Sequence, residues 1–513
     1  MKGQSLIVLF LLSFGLKAQI VNNRSSFNYS NEAKSYSFGS NEHTAFKTSF
    51  VKQDSLNNGI LDLGSKKSKL TINPAFELTN GRQNQEDHLV FDYKFGADLK
   101  FKRSDKWTAG FTYLRNFSQN MNYQRDFIAE NEVLPGTNVV SINDNETAVA
   151  DYFSAFVNFR ANEIFDFELG YGRNFIGDGY RSLLLSDFGN ASPYAKITTK
   201  FWKLNYTNLF SAHQDIFQVE GATELYRKKY SATHYLDWNA TKWLSIGLFE
   251  SIIWQAEEEN YTRGFDVNYL NPVIFYRPVE FSVGSSDNAL VGANLKITPF
   301  KQHVFYFQLL LDEFLLKELR ADVNQGLNPD EDIQSGWWAN KYGFQIGWKA
   351  FDLFGVKGLK PQVEFNYVRP FTYAHSSPVQ AYSNYNLSLA HPLGANFYEF
   401  VSLLDYQKGR WAYHLQFNQN KKGYSRPFEN LGENIQLSNT SRSKEYENFT
   451  TQGVLHQVRY VRAAVDYAIK PEWQGVLSVG YIWREEKVET SIDINNMLYF
   501  SFKTKLFNQY FDY

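Results

Sequence analysis

The residues that could do chemistry are few and widely spaced. Nine histidines stand at positions 43, 88, 213, 234, 303, 375, 391, 414 and 456, without an HExxH run or the close His/Asp spacing that holds zinc. Neither GxSxG nor a Walker-type phosphate loop occurs. The absence of cysteine removes thiol catalysis, thiolate metal sites, disulfides and a lipid-modified N-terminal cysteine. A Ser/His hydrolase would draw on His375 and His391, but spacing alone specifies no such pairing, and hydrogen-bonding loop histidines are the simpler reading. Asp322, Asn324, Asn328, Asp330 and Asp332 gather oxygens suited to Ca²⁺, yet the glutamate of an EF-hand is not at its offset. A solvated loop is expected there, with no metal, no cofactor and no enzymatic activity in the chain.

Three segments look more deliberate. Gly170 to Asp187 reads GYGRNFIGDGYRSLLLSD, in which four glycines permit tight turns. Arg173, Asp178, Arg181, Ser182 and Asp187 supply forked donors and acceptors. A nucleotide site would need a strand, a turn and a helix, whereas Gly189 and Pro193 follow here. Two readings remain. The first is a loop folded back on its own scaffold, because Leu183–Leu185 need burial; the second is a site for an acidic or hydroxyl-rich glycan, held by arginine and aromatic rings. LAHPLGANFYEF, Leu389 to Phe400, is a Pro/Gly bend entering a strand with His391, Asn396 and Glu399 as polar tips. GWWANKYGFQ sets Trp337, Trp338 and Tyr342 at a strand entrance, where an interfacial aromatic girdle explains them more simply than a sugar platform.

The elements that must carry these residues are strands. From Phe91 to Lys102 every odd position is apolar (Phe91, Tyr93, Phe95, Ala97, Leu99, Phe101), and the even positions are Asp92, Lys94, Gly96, Asp98, Lys100 and Lys102. That is period two. The rule returns in Phe153–Phe159, Phe165–Tyr171 and Leu498–Leu506. Charges facing a dry sandwich core would be prohibitive, and such aromatic faces in water would aggregate, so one face meets lipid and the other meets water. Many of these strands are long enough to cross a bilayer at a tilt. Short turns at Arg103–Lys106, Ala161–Ile164, Asn239–Lys242, Pro299–Gln302, Asp352–Lys360, Gln407–Arg410 and Lys470–Trp473 alternate with long polar stretches. The latter are Ser118–Ala150, Arg173–Ser192, His213–Ala232, Glu257–Asn288, Lys317–Lys341, Pro370–Asn396, Lys421–Gly453 and Glu486–Asn496. Keeping the long loops on one side requires a tight turn near Phe201–Lys203. The chain therefore reads as an all-β, antiparallel transmembrane barrel of the outer-membrane kind, about 18 strands (16–18), with short periplasmic turns and long extracellular loops.

Residues 1–18 form an address: Lys2, an apolar Ser5–Leu16 core and Leu16-Lys17-Ala18 before Gln19 match a cleaved signal peptide. Residues 19–68 are polar and expected to be a loosely held periplasmic leader or a small plug, and 69–513 the barrel. The formal charge of −2 becomes −4 without Lys2 and Lys17, 50 basic against 54 acidic residues, and no basic stripe tracks phosphates, which argues against nucleic acid. Aromatics at 17% beside a mean hydropathy of −0.43 fit a wall whose strands expose only alternate residues to lipid. The expected setting is the cell outer membrane, as a monomeric barrel with both termini periplasmic.

The run Gly170–Asp187 with Pro193-Tyr194, the strand end Asp312-Glu313-Phe314 and His391–Phe397 (HPLGANF) resemble the Wzi-like capsule-assembly superfamily of outer-membrane barrels, and within it the RemB branch associated with gliding motility in Bacteroidota. The resemblance spans roughly residues 90–510. It implies an eighteen-stranded, non-enzymatic barrel, and as partners surface polysaccharide in the capsule branch or gliding or secretion machinery in the other. The capsule branch also implies an N-terminal helical plug, from which the polar, strand-like leader departs. The competing function is a porin-like diffusion channel for small polar solutes, whose water-lining face would include Asp92, Lys94, Asp98 and Lys100.

Overall fold

The computed structural model describes residues 29–513 except 41, 47–59, 66, 84–87, 144, 220–224, 259, 273–286, 314, 329–333, 471–474 and 505–508. The expected signal peptide lies outside the described residues, as do Asp330 and Asp332. Eighteen strands make the wall. They are β1 (Ser68–Gln83), β2 (His88–Arg103), β3 (Trp107–Gln119), β4 (Ala148–Arg160), β5 (Phe165–Gly172), β6 (Ser192–Phe201), β7 (Leu204–Asp215), β8 (Arg227–Trp238) and β9 (Leu244–Gln255), then β10 (Asn288–Phe300), β11 (His303–Glu313), β12 (Lys341–Ala350), β13 (Leu359–Val368), β14 (Phe397–Lys408), β15 (Trp411–Tyr424), β16 (Val454–Lys470), β17 (Gly475–Val488) and β18 (Ser491–Thr504). Each pairs antiparallel with its neighbours in the chain, and β18 returns to β1, from Glu77 opposite Lys503 to Gln83 opposite Met497. Closure leaves the ring without an open edge, the condition for a sheet to cross hydrocarbon. Below Glu77, where β18 has ended, the short strand Leu61–Ser65 takes its place beside β1.

The alternation read from sequence sets inside and outside. On β2 Lys94 and Asp98 are buried toward the lumen while Phe95 is exposed on the outer wall. Leu169, Phe305, Leu498 and Phe500 are likewise exposed outward. The turn expected near Phe201–Lys203 is present, with Phe201 opposite Leu204. Glu486–Asn496 is a correction: it is no loop but a hairpin, with Val488 opposite Ser491 and a turn at Glu489 (φ 51°) and Thr490. Its polar residues belong to strands that run past the expected membrane span, so polarity there does not mark a loop.

Among the described residues, three α-helices fall in segments read as coil or loop. α1 (Tyr29–Ser35) lies in the leader, α2 (Asn122–Asn131) in the β3–β4 loop and α3 (Leu316–Leu327) in the β11–β12 loop. α3 contains Asp322 and Asn324, so these two oxygen-bearing residues of the run stand on a helix and not on a loop. Asp322 instead pairs with Arg369 (3.1 Å) and accepts the Gly336 N–H (2.6 Å). The outer wall is also not uniformly open. The β9–β10 connection straps over β7–β9, where Phe210, Ala232, Ile252 and Trp254 are buried with Tyr269, and the Trp254 indole N–H donates to the Gly264 carbonyl (3.1 Å).

Candidate functional site

Residues 173–191, between β5 and β6, do not extend from the barrel; they fold into it. Leu183, Leu184 and Leu185 pack among Leu209, Phe249, Ile253, Leu290 and Leu310 of the inward wall faces, a hydrophobic core inside the lumen. Burying each leucine stabilises this arrangement by about 2 kcal/mol. The β13–β14 loop closes over it: Tyr373 and Tyr382 donate their hydroxyls to the carbonyls of Leu183 (2.8 Å) and Leu184 (2.7 Å), and Ser186 N–H donates to the Leu389 carbonyl. That upper loop is held in turn by Lys229 on the Ala381 carbonyl (2.9 Å) and by Lys341 on the Ala374 carbonyl (3.0 Å). Asp312, from the strand-end motif, accepts the Tyr373 N–H and pairs with Lys341 at 3.2 Å.

Arg181 is the polar centre of the plug and is only 1% exposed. Its Nη2 lies 2.9 Å from Glu399 Oε1 and 3.1 Å from Asp512 Oδ2, and Nε donates to Glu399 Oε2 at 3.2 Å. Burial opposes the guanidinium charge, but Asp512 and Glu399 outweigh it and hold its pKa well above the ordinary value. His391, also fully buried, places Nε2 2.8 Å from Glu399 Oε2, and Nδ1 accepts the Leu393 N–H at 3.1 Å. Burial pushes the His391 pKa down despite that carboxylate. Glu364 receives the loop's backbone, accepting the N–H groups of Tyr180 (2.7 Å) and Arg181 (3.0 Å).

Asp178 forms the second polar knot. It accepts from Tyr36 (2.9 Å), Thr44 (2.5 Å) and Asn294 (3.2 Å). Burial alone would raise its pKa; Lys296 and Lys349 lower it overall. Through these bonds the leader joins the plug. Tyr29 donates to Asp352, Glu32 meets Lys360 at 3.0 Å, His43 meets Asp237 at 3.0 Å, and Gly177 N–H donates to the Ala45 carbonyl. Residues 29–46 are thus helical at their start and tied to inward wall residues at the short-turn end. Tyr29–Ser35 is helical where a strand-like leader is expected, and the apolar faces of Tyr36 and Phe46 find their partners in the tertiary structure. The C-terminal residues enter too: Tyr510 donates to Asp187 (2.6 Å), and Asp512 accepts from Gln416 and Asn418.

The remaining candidate residues separate into two places. Arg173 donates to the Asp187 carbonyl (2.6 Å), and Ser182 Oγ donates to the Ile176 carbonyl while accepting from Leu184 and Leu185, so both stabilise the loop's own turns. Asn396, at φ 62°, ties the Gly423 and Gln452 carbonyls (both 3.0 Å) and accepts the Thr451 N–H. Trp337 and Trp338 lie at the long-loop rim, half-buried, with ring centroids 6.2 Å apart and the Arg442 guanidinium 4.2 Å above Trp338. Ser182 and His391 are not bonded to each other, so the pair makes no nucleophile–base couple. Among the described residues no group of three or more His, Asp or Glu side chains is placed to hold a metal. Glu364 and Asp512 were missed from sequence; the first shares the alternation of every strand, and the tail carries no local signal for burial.

Fold and site together define a closed eighteen-stranded antiparallel barrel whose lumen is occupied by its own chain. No family model matches this sequence, and no curated protein matches it. Solved structures with a similar barrel include Wzi of Escherichia coli, an outer-membrane protein involved in group 1 capsule assembly and a carbohydrate-binding β-barrel, at 10% identity over 84% of this chain and 85% of that one, TM-score 0.47. OprD of Pseudomonas aeruginosa is similar at 9% identity over 89% and 96%, TM-score 0.44, and OccAB2 of Acinetobacter baumannii at 8% over 86% and 99%, TM-score 0.44. Such values carry nothing about ligand or role, and the barrel assignment rests on the strand pairing itself.

Proposed function

We propose that this chain is a non-enzymatic barrel of the cell outer membrane that acts at the surface in gliding motility, in capsule or exopolysaccharide assembly and attachment, or in both. Residues 1–18 direct export, 19–68 form a periplasmic leader or small plug, and 69–513 form a single barrel with its long loops outward. The observation that carries the reading is the Leu183–Leu185 core across the lumen, which leaves the loop surfaces rather than a wide pore to meet partners. Arg181 is spent on Glu399 and Asp512, so it is a pin of the plug; a glycan is better suited by the Trp337, Trp338 and Arg442 platform, where rings stack on sugar faces and a guanidinium meets acidic groups. Loss of the gene should impair spreading or retention of surface polysaccharide, and the purified barrel should retain cell-surface glycan less well as Trp338→Ala. Normal spreading and glycan retention in the deletion strain would sink this reading.

A second reading is a narrow diffusion channel for small polar solutes. It is favoured by one strip of wall, β3 to β4, where buried Thr108 Oγ1 and Asn158 Oδ1 have no protein hydrogen-bond partner. Water along that strip would satisfy them. Conductance in planar bilayers separates the two readings.

A further inference from the structure

Around the short-turn end the outer wall carries a belt of exposed rings, among them Trp107, Phe201, Trp202, Trp243, Phe300 and Trp411. Such a belt marks where hydrocarbon gives way to headgroups. At one place it opens into a groove. Where β14 turns into β15, beside β16, the groove is walled by two ring pairs: Tyr406 stacked on Tyr413 (centroids 5.9 Å) and Trp411 against Tyr467 (4.8 Å).

Register explains the grouping. Tyr406 lies opposite Tyr413, Lys408 opposite Trp411, and Trp411 opposite Tyr467, so period two turns all five side chains to the same outer face. Gly409, at φ 61°, makes the two-residue turn, and exposed Arg410 caps it beside exposed Lys408. The nearby carboxylates belong to the other face: Asp405 is bound to His414 (2.6 Å) and Lys360 (3.4 Å), and Asp466 lies 3.3 Å from His414. The groove therefore presents two cations above four aromatic walls, and no acidic side chain among the described residues lines it.

We infer that this groove is a binding site for an anionic phospholipid, with the phosphate diester between Lys408 and Arg410 and an acyl chain against the rings. The complementarity is of charge at the rim and of apolar surface below it. The inference rests on the membrane-spanning reading and is independent of what the lumen does.

The test uses the full-length barrel in non-ionic detergent, titrated with phosphatidylglycerol, phosphatidylcholine or inorganic phosphate and observed by native mass spectrometry. The wild type should keep one phosphatidylglycerol about ten-fold more than phosphatidylcholine, a ratio set by two cations near an anionic headgroup. The Lys408→Ser/Arg410→Ser double variant should lose that preference, and Trp411→Ala should weaken both lipids alike. Heat-modifiable gel mobility confirms that each variant is folded, and single Lys408→Ser serves if the double variant is not. Equal preference in wild type and variant, or competition by inorganic phosphate as strong as by the lipid, would overturn the site. Liposome insertion of the same samples tests the membrane-spanning reading separately.

Discussion

Arg181 and Glu399 stand 218 residues apart in sequence and meet inside the barrel in a forked pair, Nη2 to Oε1 at 2.9 Å and Nε to Oε2 at 3.2 Å. Asp512, 331 residues from Arg181, is the second carboxylate on the same guanidinium. A buried guanidinium between two carboxylates is poor evidence of net stabilisation, because desolvation consumes most of the Coulomb gain. Its value is positional: it fixes the loop, the β14 wall and the C-terminal residues in one arrangement.

Removing Arg181 should therefore cost more than the pair contributes. Arg181→Ala strands Glu399 and Asp512 in a dry site, with an expected loss of about 3–5 kcal/mol. Urea unfolding in detergent measures it, and limited proteolysis should cut between residues 174 and 186 in the variant first. A loss below about 1 kcal/mol would mean that the pair is not the pin.

Leu184 is wholly buried within the lumenal core. Leu184→Ala should cost about 2–5 kcal/mol, because the surrounding wall is too rigid to collapse on the cavity. Leu498→Ala removes the same atoms from the exposed outer wall and should cost far less, since detergent or lipid fills the gap. Comparing the two variants in one unfolding assay checks that the lumen, and not only the outer face, is a packed core.

The upper loop should loosen in acid. His375 is buried and its pKa is lowered to about 4, first by burial and then by Lys341. A depressed folded-state pKa means the unfolded loop takes the proton first, so stability is complete above about pH 6.5 and falls as pH drops toward 4. The ceiling on that loss is about 3 kcal/mol. Hydrogen exchange across residues 369–396 should rise over this window, and His375→Gln should flatten the dependence.

Excising residues 174–186 should turn a nearly silent barrel into a conducting one, because the wall behind the loop is lined by polar side chains such as Gln308, Gln345 and Asn366. Planar-bilayer recording compares the excised and intact proteins. Large conductance from the intact chain would favour the channel reading instead.

Much of the wall was legible in sequence because its physics is local. Period-two alternation puts Phe95 outside and Lys94 inside whatever the rest of the chain does, and the count of turns fixes eighteen strands once Phe201–Lys203 is taken as one of them. The need to bury Leu183–Leu185 could also be read, since three adjacent leucines cannot stay in water. The partners could not. Whether Arg181 meets a glycan or Glu399 and Asp512 depends on which strands the closed ring sets opposite one another, and no spacing within Gly170–Asp187 encodes that. The same holds for α1, whose seven residues are too few to be stable alone and are held by Asp352 and Lys360 across the barrel mouth. Sequence determined which faces of strands such as β2 point outward; the closed tertiary structure decided what fills the space the strands enclose.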